Sequence, residues 1–242
     1  MMEPIRIFVG TSSNNEDAEA EMVLEYTLRK NTTVPLDITW MRQTHDENSI
    51  WGGWETQRWS TPFSGFRWAI PEACGFTGRA IYMDVDQLNL RDISDLFCVD
   101  MEGHPMAARR GARFGGHEFC VVLMDCEKLG DMLQPVARMK RNVDAHHRYI
   151  GMFSGSDHVL DLDSRWNCHD GDGREIADIW HLHYTDMSTQ PWKPTWYTGV
   201  ARAHPRPDLV KLWHDTRAEA ALNGWTPHLS NEVYGDYRII GR

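Results

Sequence analysis

The chain has no apolar run approaching the roughly 18–20 residues that span a bilayer as a helix, so no membrane-embedded segment is expected. Its first ten residues, Met-Met-Glu-Pro-Ile-Arg-Ile-Phe-Val-Gly, lack the basic start, apolar middle and small-residue cleavage site of a secretion signal and read as a short strand. Cysteine is scarce and odd in number. Cys74, Cys98, Cys120, Cys126 and Cys168 show no CxxC spacing and sit mostly in apolar surroundings. That pattern argues against a disulfide framework and fits reduced, buried thiols, so a soluble, cytoplasmic protein is expected. Positive charge is also in short supply: 25 Lys and Arg stand against 35 Asp and Glu, a formal net charge of −10. This balance disfavours tight nonspecific binding to nucleic acid and to anionic membranes. There is no internal repeat and no low-complexity tract.

What is present suits one α/β domain. The 242 residues are 41% hydrophobic, enough for a real core. The expected unit is a single domain over 1–242, with its core in 1–200 and a helical C-terminal extension over 201–242. Eleven tryptophans serve either packing or the stacking of sugars and bases, since a flat π-face suits both. Ile5 to Val9 is a near-continuous apolar run closed by Gly10, the pattern of a buried parallel strand. Asn14 or Asn15 can cap a helix whose first turn carries Glu16 and Asp17; Ala18, Met22, Val23 and Tyr26 continue it to about Lys30. Pro35 to Met41 reads as a second strand, so a βαβ unit and a parallel sheet follow. Residues 42–66, rich in Trp, Gly, Ser and Thr, read as a long loop. A short helix is expected near Phe66 to Cys74, with strands at Ala80 to Met83, Phe119 to Met124 and Ile179 to Tyr184. Residues 129–148 read as helical, with Met132, Leu133, Val136 and Met139 on one face. An amphipathic helix over Leu209 to Leu222 stops at Asn223-Gly224.

The chemistry centres on Asp84-Val85-Asp86, directly after an apolar strand. Two carboxylates at i and i+2 can converge on one hard cation such as Mg²⁺ or Mn²⁺. Such a cation binds diphosphates and offsets charge developing on a leaving nucleoside diphosphate. In an open α/β sheet, ligands sit at the C-terminal ends of strands. A DxD alone is a weak motif, equally at home in a solvated turn. Its companions make it specific. Ala80-Ile-Tyr-Met-Asp-Val-Asp-Gln-Leu-Asn-Leu-Arg-Asp-Ile-Ser-Asp-Leu-Phe97 resembles the metal-binding signature of family 8 glycosyltransferases. Thr61 to Pro71, Phe119 to Asp125, Ser164-Arg-Trp-Asn167 and Ile179 to Trp192 resemble further family segments, in the family's order.

The resemblance implies a GT-A fold: a nucleotide-sugar-binding α/β domain with a central mixed, mostly parallel sheet flanked by helices. It implies metal-dependent transfer of a sugar, with retention, from a nucleotide-sugar that is commonly UDP-linked. Carried over by position, Asp84 and Asp86 would bind Mn²⁺ or Mg²⁺ with His183 as third ligand; His181 is the alternative register. Arg67 would approach the phosphates, Val85 the nucleotide, and Gly10, Thr11 and Ser12 the base and ribose. The family's terminal Gly and Lys appear as Asp186 and Gln190, so Lys193 or Arg202 would have to supply the diphosphate contact. The family's Asp-Gln-Asp segment appears as Ser156-Asp157-His158, which makes Asp157 and His158 the candidates for acting at the reacting sugar; a polar helix start is the plain alternative. Arg109 to His117 is a basic, Gly-rich stretch, either a mobile loop near an anionic acceptor or a solvated hairpin. Candidate acceptors are a glycan precursor, a small molecule, a protein or, as in phage-type enzymes, a modified nucleic-acid base. Two other classes compete. A nucleotidyltransferase would carry Gly and a cation after the first strand, which 11–17 lacks. A non-catalytic, Trp-rich module that binds carbohydrate, nucleotide or nucleic acid would leave the acid pair and His183 without a role.

Overall fold

The computed structural model describes residues 3–111 and 115–232. The apolar run at the start forms β1 (Ile5–Gly10), followed by α1 (Ala18–Asn31) and β2 (Leu36–Met41). Helix α1 starts later than the two asparagines suggest: Asp17 is its cap residue, and Asn14 instead accepts from the Glu16 amide, 3.1 Å. After the long loop come a 3₁₀ segment (Ser64–Ala69), the short α2 (Ile70–Ala73), β3 (Arg79–Asp84), β4 (Gln87–Asn89) and α3 (Ile93–Phe97). Then follow β5 (Met106–Arg110) and β6 (His117–Asp125). The stretch expected as one helix over 129–148 is three pieces: α4 (Cys126–Gly130), α5 (Val136–Met139) and α6 (Ala145–Phe153). Pro135 accounts for one break, because proline cannot donate within a helix and excludes helical geometry before it. β7 (Val159–Leu162), β8 (Cys168–His169), β9 (His181–His183) and α7 (Pro207–Leu222) complete the order.

Six strands form one sheet in the order β2-β1-β3-β6-β5-β7, and β4-β9-β8 form a second. β1 pairs in parallel with both β2 and β3, β5 pairs in parallel with β7, and β6 runs against both β3 and β5. Five strands of the large sheet therefore share one direction. The C-terminal ends of β1, β3 and β5 and the start of β6 meet along one rim. Gly10 and Asp84 are register partners there.

Alternation along the strands divides the core in two. Ile7, Val9, Ile81 and Met83 face α1 and α7, where Leu24, Leu28 and Trp213 are buried. Phe8, Tyr82, Val122 and Met124 face the other way, against Trp54, Trp59, Phe66, Trp68 and Phe153. Three of the tryptophans from the 42–68 region thus pack rather than stack on ligands; Trp68 lies parallel to Phe153, with ring centroids 5.6 Å apart. No helix among the described residues is long and apolar enough to cross a membrane.

Candidate active site

The turn after β3 builds the site. Val85 donates to the Gly10 carbonyl, 3.0 Å, so the acid pair is pinned to the end of β1. The chain then folds back as β4, which pairs antiparallel with β9 and sets Gln87 against His183. Tyr184 donates to the Asp86 carbonyl, 2.9 Å. Those backbone bonds bring Asp86 and His183 together across ninety-odd residues of chain: Asp86 Oδ1 lies 3.2 Å from His183 Nε2. His181, one pleat away, lies instead between Gln87 and Asn89, and burial pushes its pKa down to about 3.

Three groups hold Asp84. Its Oδ1 accepts from the Tyr82 hydroxyl and faces Arg67 Nη2 at 3.5 Å. The Cys120 thiol is its third neighbour. Burial raises the Asp84 pKa, outweighing the pull of Arg67. Arg67 is itself buried. It donates to the carbonyls of Ser64 and Phe119 and stacks over the Tyr82 ring, 4.4 Å from the centroid. A guanidinium so fully engaged fixes position as well as charge.

A divalent cation fits these residues on three observations. First, one oxygen each of Asp84 and the ligand atoms of His183 and Cys120 lie within 4.8 Å of one another. Second, Asp86 Oδ1 is buried without an aligned hydrogen-bond donor. Third, His183 Nδ1 is 3.1 Å from Asn167 Oδ1, an acceptor, so Nδ1 carries the proton and Nε2 turns a lone pair toward Asp86. Two lone pairs facing across 3.2 Å need a positive charge between or beside them, a proton or a metal ion. Burial acts to lower the His183 pKa, but Asp86 outweighs it and the net shift is upward. Cys120 was not anticipated as a neighbour. Burial and Asp84 hold its thiol well above the usual range, which makes it a donor to Asp84 rather than a ready thiolate.

The other expected contacts distribute as follows. Gly10 has no room for a side chain: a Cβ would stand 2.5 Å from the Phe63 ring and 3.0 Å from the Tyr82 hydroxyl. Thr11 donates to Glu21, 2.6 Å, and the Ser12 hydroxyl is buried with no partner. Gln190 donates to Asp86 Oδ2 and to the Tyr184 carbonyl, both at 3.0 Å, so a neutral amide rests on Asp86 at the position where the sequence resemblance leads one to expect a lysine. Lys193 is turned to the start of α1, 3.6 Å from Asp17. It borders a cleft of about 640 Å³ lined by Glu16, Trp192, Trp196 and Arg217, which lies beside the first loop rather than over the acid pair. Asp157 and His158 are exposed in the turn before β7 at the sheet's edge. Asp157 acts electrostatically on Arg110, and the His158 ring is 6.4 Å from Phe153. Neither has a contact with Asp84, Asp86 or His183 among the hydrogen bonds and ion pairs of the described residues.

The basic stretch is a hairpin between β5 and β6, with residues 112–114 outside the described residues. Its first cation is not solvated. Arg109 is 5% exposed, grips the Asp172 carboxylate with two bonds of 2.6 and 3.0 Å, and donates to the Asn167 carbonyl. Beside it, Glu118 Oε2 stands 3.1 Å from His169 Nε2. The imidazoles of His169 and His183, register partners on β8 and β9, have centroids 5.3 Å apart. Asn167, Glu118 and His169 were not assigned roles from sequence. The run Cys168-His-Asp-Gly-Asp172 carried the one available signal, dense in polar and metal-competent side chains.

No protein-family model matches the chain, and no curated protein matches it in sequence. Solved structures do resemble it in fold. The WbbM bifunctional glycosyltransferase superposes with a TM-score of 0.61 at 11% identity, over 79% of this chain and 47% of that one. The apo glycosyltransferase GlyE of Streptococcus pneumoniae superposes at 0.60 and 15% identity, over 93% and 65%. The galactosyltransferase LgtC, solved with donor and acceptor sugar analogues, superposes at 0.59 and 12% identity, over 89% and 96%. The chain thus spans less than two thirds of the first two proteins and nearly all of the third. The architecture expected from the sequence, a mixed and mostly parallel GT-A sheet with flanking helices, is the one these structures share.

Proposed function

We propose that the protein is a metal-dependent glycosyltransferase that moves a sugar from a nucleotide-sugar donor, UDP-linked, to an acceptor, with retention at the anomeric carbon. One observation carries the reading. At the strand ends of a GT-A sheet, Asp86 Oδ1 lies 3.2 Å from His183 Nε2, an Asp84 oxygen lies within 4.8 Å of the His183 ligand atom, and Asn167 fixes the imidazole. The glycosyltransferase fold neighbours support it.

Asp84, Asp86 and His183 would hold Mn²⁺ or Mg²⁺, whose charge would offset that of the departing diphosphate. Tyr82 and Arg67 hold the Asp84 carboxylate in place, and Arg67 adds a buried positive charge at the phosphates. Gly10, Thr11 and Ser12 lie at the end of β1, where the nucleoside is received; the unpartnered Ser12 hydroxyl is free to bond it. Val85, pinned to Gly10, joins that loop to the acids. Lys193 contributes through its position at the mouth of the first loop. Asp157 and His158, exposed at the sheet edge, suit acceptor contact better than contact with the anomeric centre.

The test is turnover of UDP-sugars, hydrolytic or to added acceptors, with and without Mn²⁺ or Mg²⁺. Activity should require the metal, and Asp86→Ala should reduce it by about 10²-fold or more, the scale for losing a preorganised electrostatic contact. Metal-independent turnover, or an Asp86→Ala variant as active as the parent, would overturn the proposal.

A further inference from the structure

Four stretches of chain surround the cleft beside the first loop: the start of α1, Pro191 to Trp196, the middle of α7, and Pro227 with Leu229. Its volume of about 640 Å³ falls within the roughly 300–1,000 Å³ of small-molecule sites. The walls are tied down. The Trp192 indole donates to Asp17, 2.9 Å. The Tyr197 amide donates to the Pro194 carbonyl, 2.9 Å, closing a tight turn that sets Trp196. The His228 and Ser230 amides donate to the Ala18 carbonyl and the Asn15 side chain, 3.1 and 2.8 Å, which fixes Pro227 and Leu229. Trp192 and Trp213 border the cleft from the core, whereas Trp196 is 54% exposed. An aromatic ring left half in water beside a cleft offers a face on which a ligand ring can stack.

Charges of both signs line the cleft. Arg217 is paired with Glu19, 2.9 Å, and Lys193 lies 3.6 Å from Asp17. Glu16 borders the cleft, is 7% exposed and belongs to no ion pair among the described residues. An anionic ligand would meet Glu16 and Glu19, and a cationic one Lys193 and Arg217. A wholly apolar ligand would cover the Glu16 carboxylate without giving it a donor. A neutral sugar escapes all three costs. The C–H face of its ring lies on an indole, and hydroxyls at its rim donate to a carboxylate. The position suits a glycan that also reaches the acids. Gln190, which donates to Asp86 Oδ2, immediately precedes Pro191 at the edge of the cleft.

We infer that this cleft binds a neutral oligosaccharide, stacked on Trp196 and hydrogen-bonded to Glu16, and that it anchors the acceptor chain away from its reacting end. The acceptor role rests on the glycosyltransferase reading; the glycan chemistry of the cleft does not.

An array of neutral, sialylated and sulfated oligosaccharides, with single-stranded DNA alongside, tests the chemistry. Calorimetry with the strongest neutral binder tests the residues. Neutral glycans should bind the parent protein, and the anionic probes should bind less. Trp196→Ala and Glu16→Gln should each lower the affinity for that neutral glycan about ten-fold, the scale of one stacking contact or one hydrogen bond to a charged group. UDP affinity with Mn²⁺ should stay within about two-fold of the parent in both variants. The exposure of Trp196 keeps its removal from disturbing the core. Failure of every neutral glycan to bind, preference for the anionic probes, or parent-like glycan affinity in both variants overturns the site. Glycan binding by a parent protein that binds neither UDP, UDP-glucose nor UDP-galactose with Mn²⁺ overturns the donor reading, and the acceptor role with it. UDP binding without glycan binding overturns the cleft alone.

Discussion

A single amide decides what the histidine at the acid pair can do. Asn167 is fully buried, and its oxygen accepts a hydrogen bond from Nδ1 of His183, leaving Nε2 for Asp86 and for any cation they share. Groups that orient a ligating imidazole tune its affinity for metal almost as strongly as the ligand itself. Asn167→Ala should therefore weaken Mn²⁺ binding about ten- to a hundred-fold with all three ligands intact, as read by manganese electron-spin-resonance titration. Unchanged affinity would mean that Asn167 only fills space. The carboxylates and His183 are legible from sequence because each sits in a local pattern: acids ending an apolar strand, or a histidine in a late strand before Pro191-Trp192. Asn167 was legible only as part of Ser164-Arg-Trp-Asn167. His169 had only the polar run Cys168-His-Asp-Gly-Asp172 to mark it, and Glu118 had nothing, since the two meet only when the start of β6 comes beside β8. Short-range spacing carries no trace of that meeting.

At the level of elements, the first loop and α1 share a buried charge. Glu21 is 1% exposed, accepts from Thr11 and Arg42, and lies 3.8 Å from His228. Burial, opposed by Arg42, pushes its pKa from 4.5 up to about 7. Folding then favours the protonated acid. Its contribution to stability is fully present below about pH 4.5 and is lost as pH rises through about 7. At about 1.4 kcal/mol per pKa unit, the total is on the order of 3 kcal/mol. Glu21→Gln keeps an acceptor for Thr11 and removes the titration. Urea unfolding between pH 5 and 8 should show the parent losing stability relative to the variant as pH rises; parallel profiles would exclude Glu21 as the cause. Elements differ in how visible they are beforehand. β1, α1, β2 and β3 declare themselves by long apolar runs or helical spacing. β4 and β8 are three and two residues long, too short for any period to register. β5 reads Met-Ala-Ala-Arg-Arg, and its two arginines look solvated until Asp172 and Asp161 are seen to pair them.

Across the whole molecule, residues 201–232 are bound into the rest rather than hung from it. Trp213 of α7 is 2% exposed and lies 5.7 Å from the Trp192 ring, whose indole nitrogen donates to Asp17 at the start of α1, 2.9 Å. The Tyr184 hydroxyl, one residue past His183, donates to the Leu209 carbonyl, 2.8 Å. Lys30 and Arg217 add ion pairs to Glu219 and Glu19 between the two helices, but these are exposed and contribute little beside the buried rings. Farther on, Ser230 and Asn15 exchange hydrogen bonds of 2.8 and 3.0 Å, which closes the chain over the first loop. The apolar face of α7 is thus part of the same core that supports β1 and β9. Replacing Trp213 by alanine removes a ring that α1, α7 and Trp192 enclose, and should cost about 3–5 kcal/mol. For a domain of this size that is a fall in Tm on the order of 10 °C. The decisive feature is the shape of the transition. One cooperative unit melts once, with far-ultraviolet circular dichroism and tryptophan fluorescence tracing the same curve in parent and variant. Two separated transitions in the Trp213→Ala variant, the first confined to helix loss from α7, would instead make the segment after 200 an independent extension.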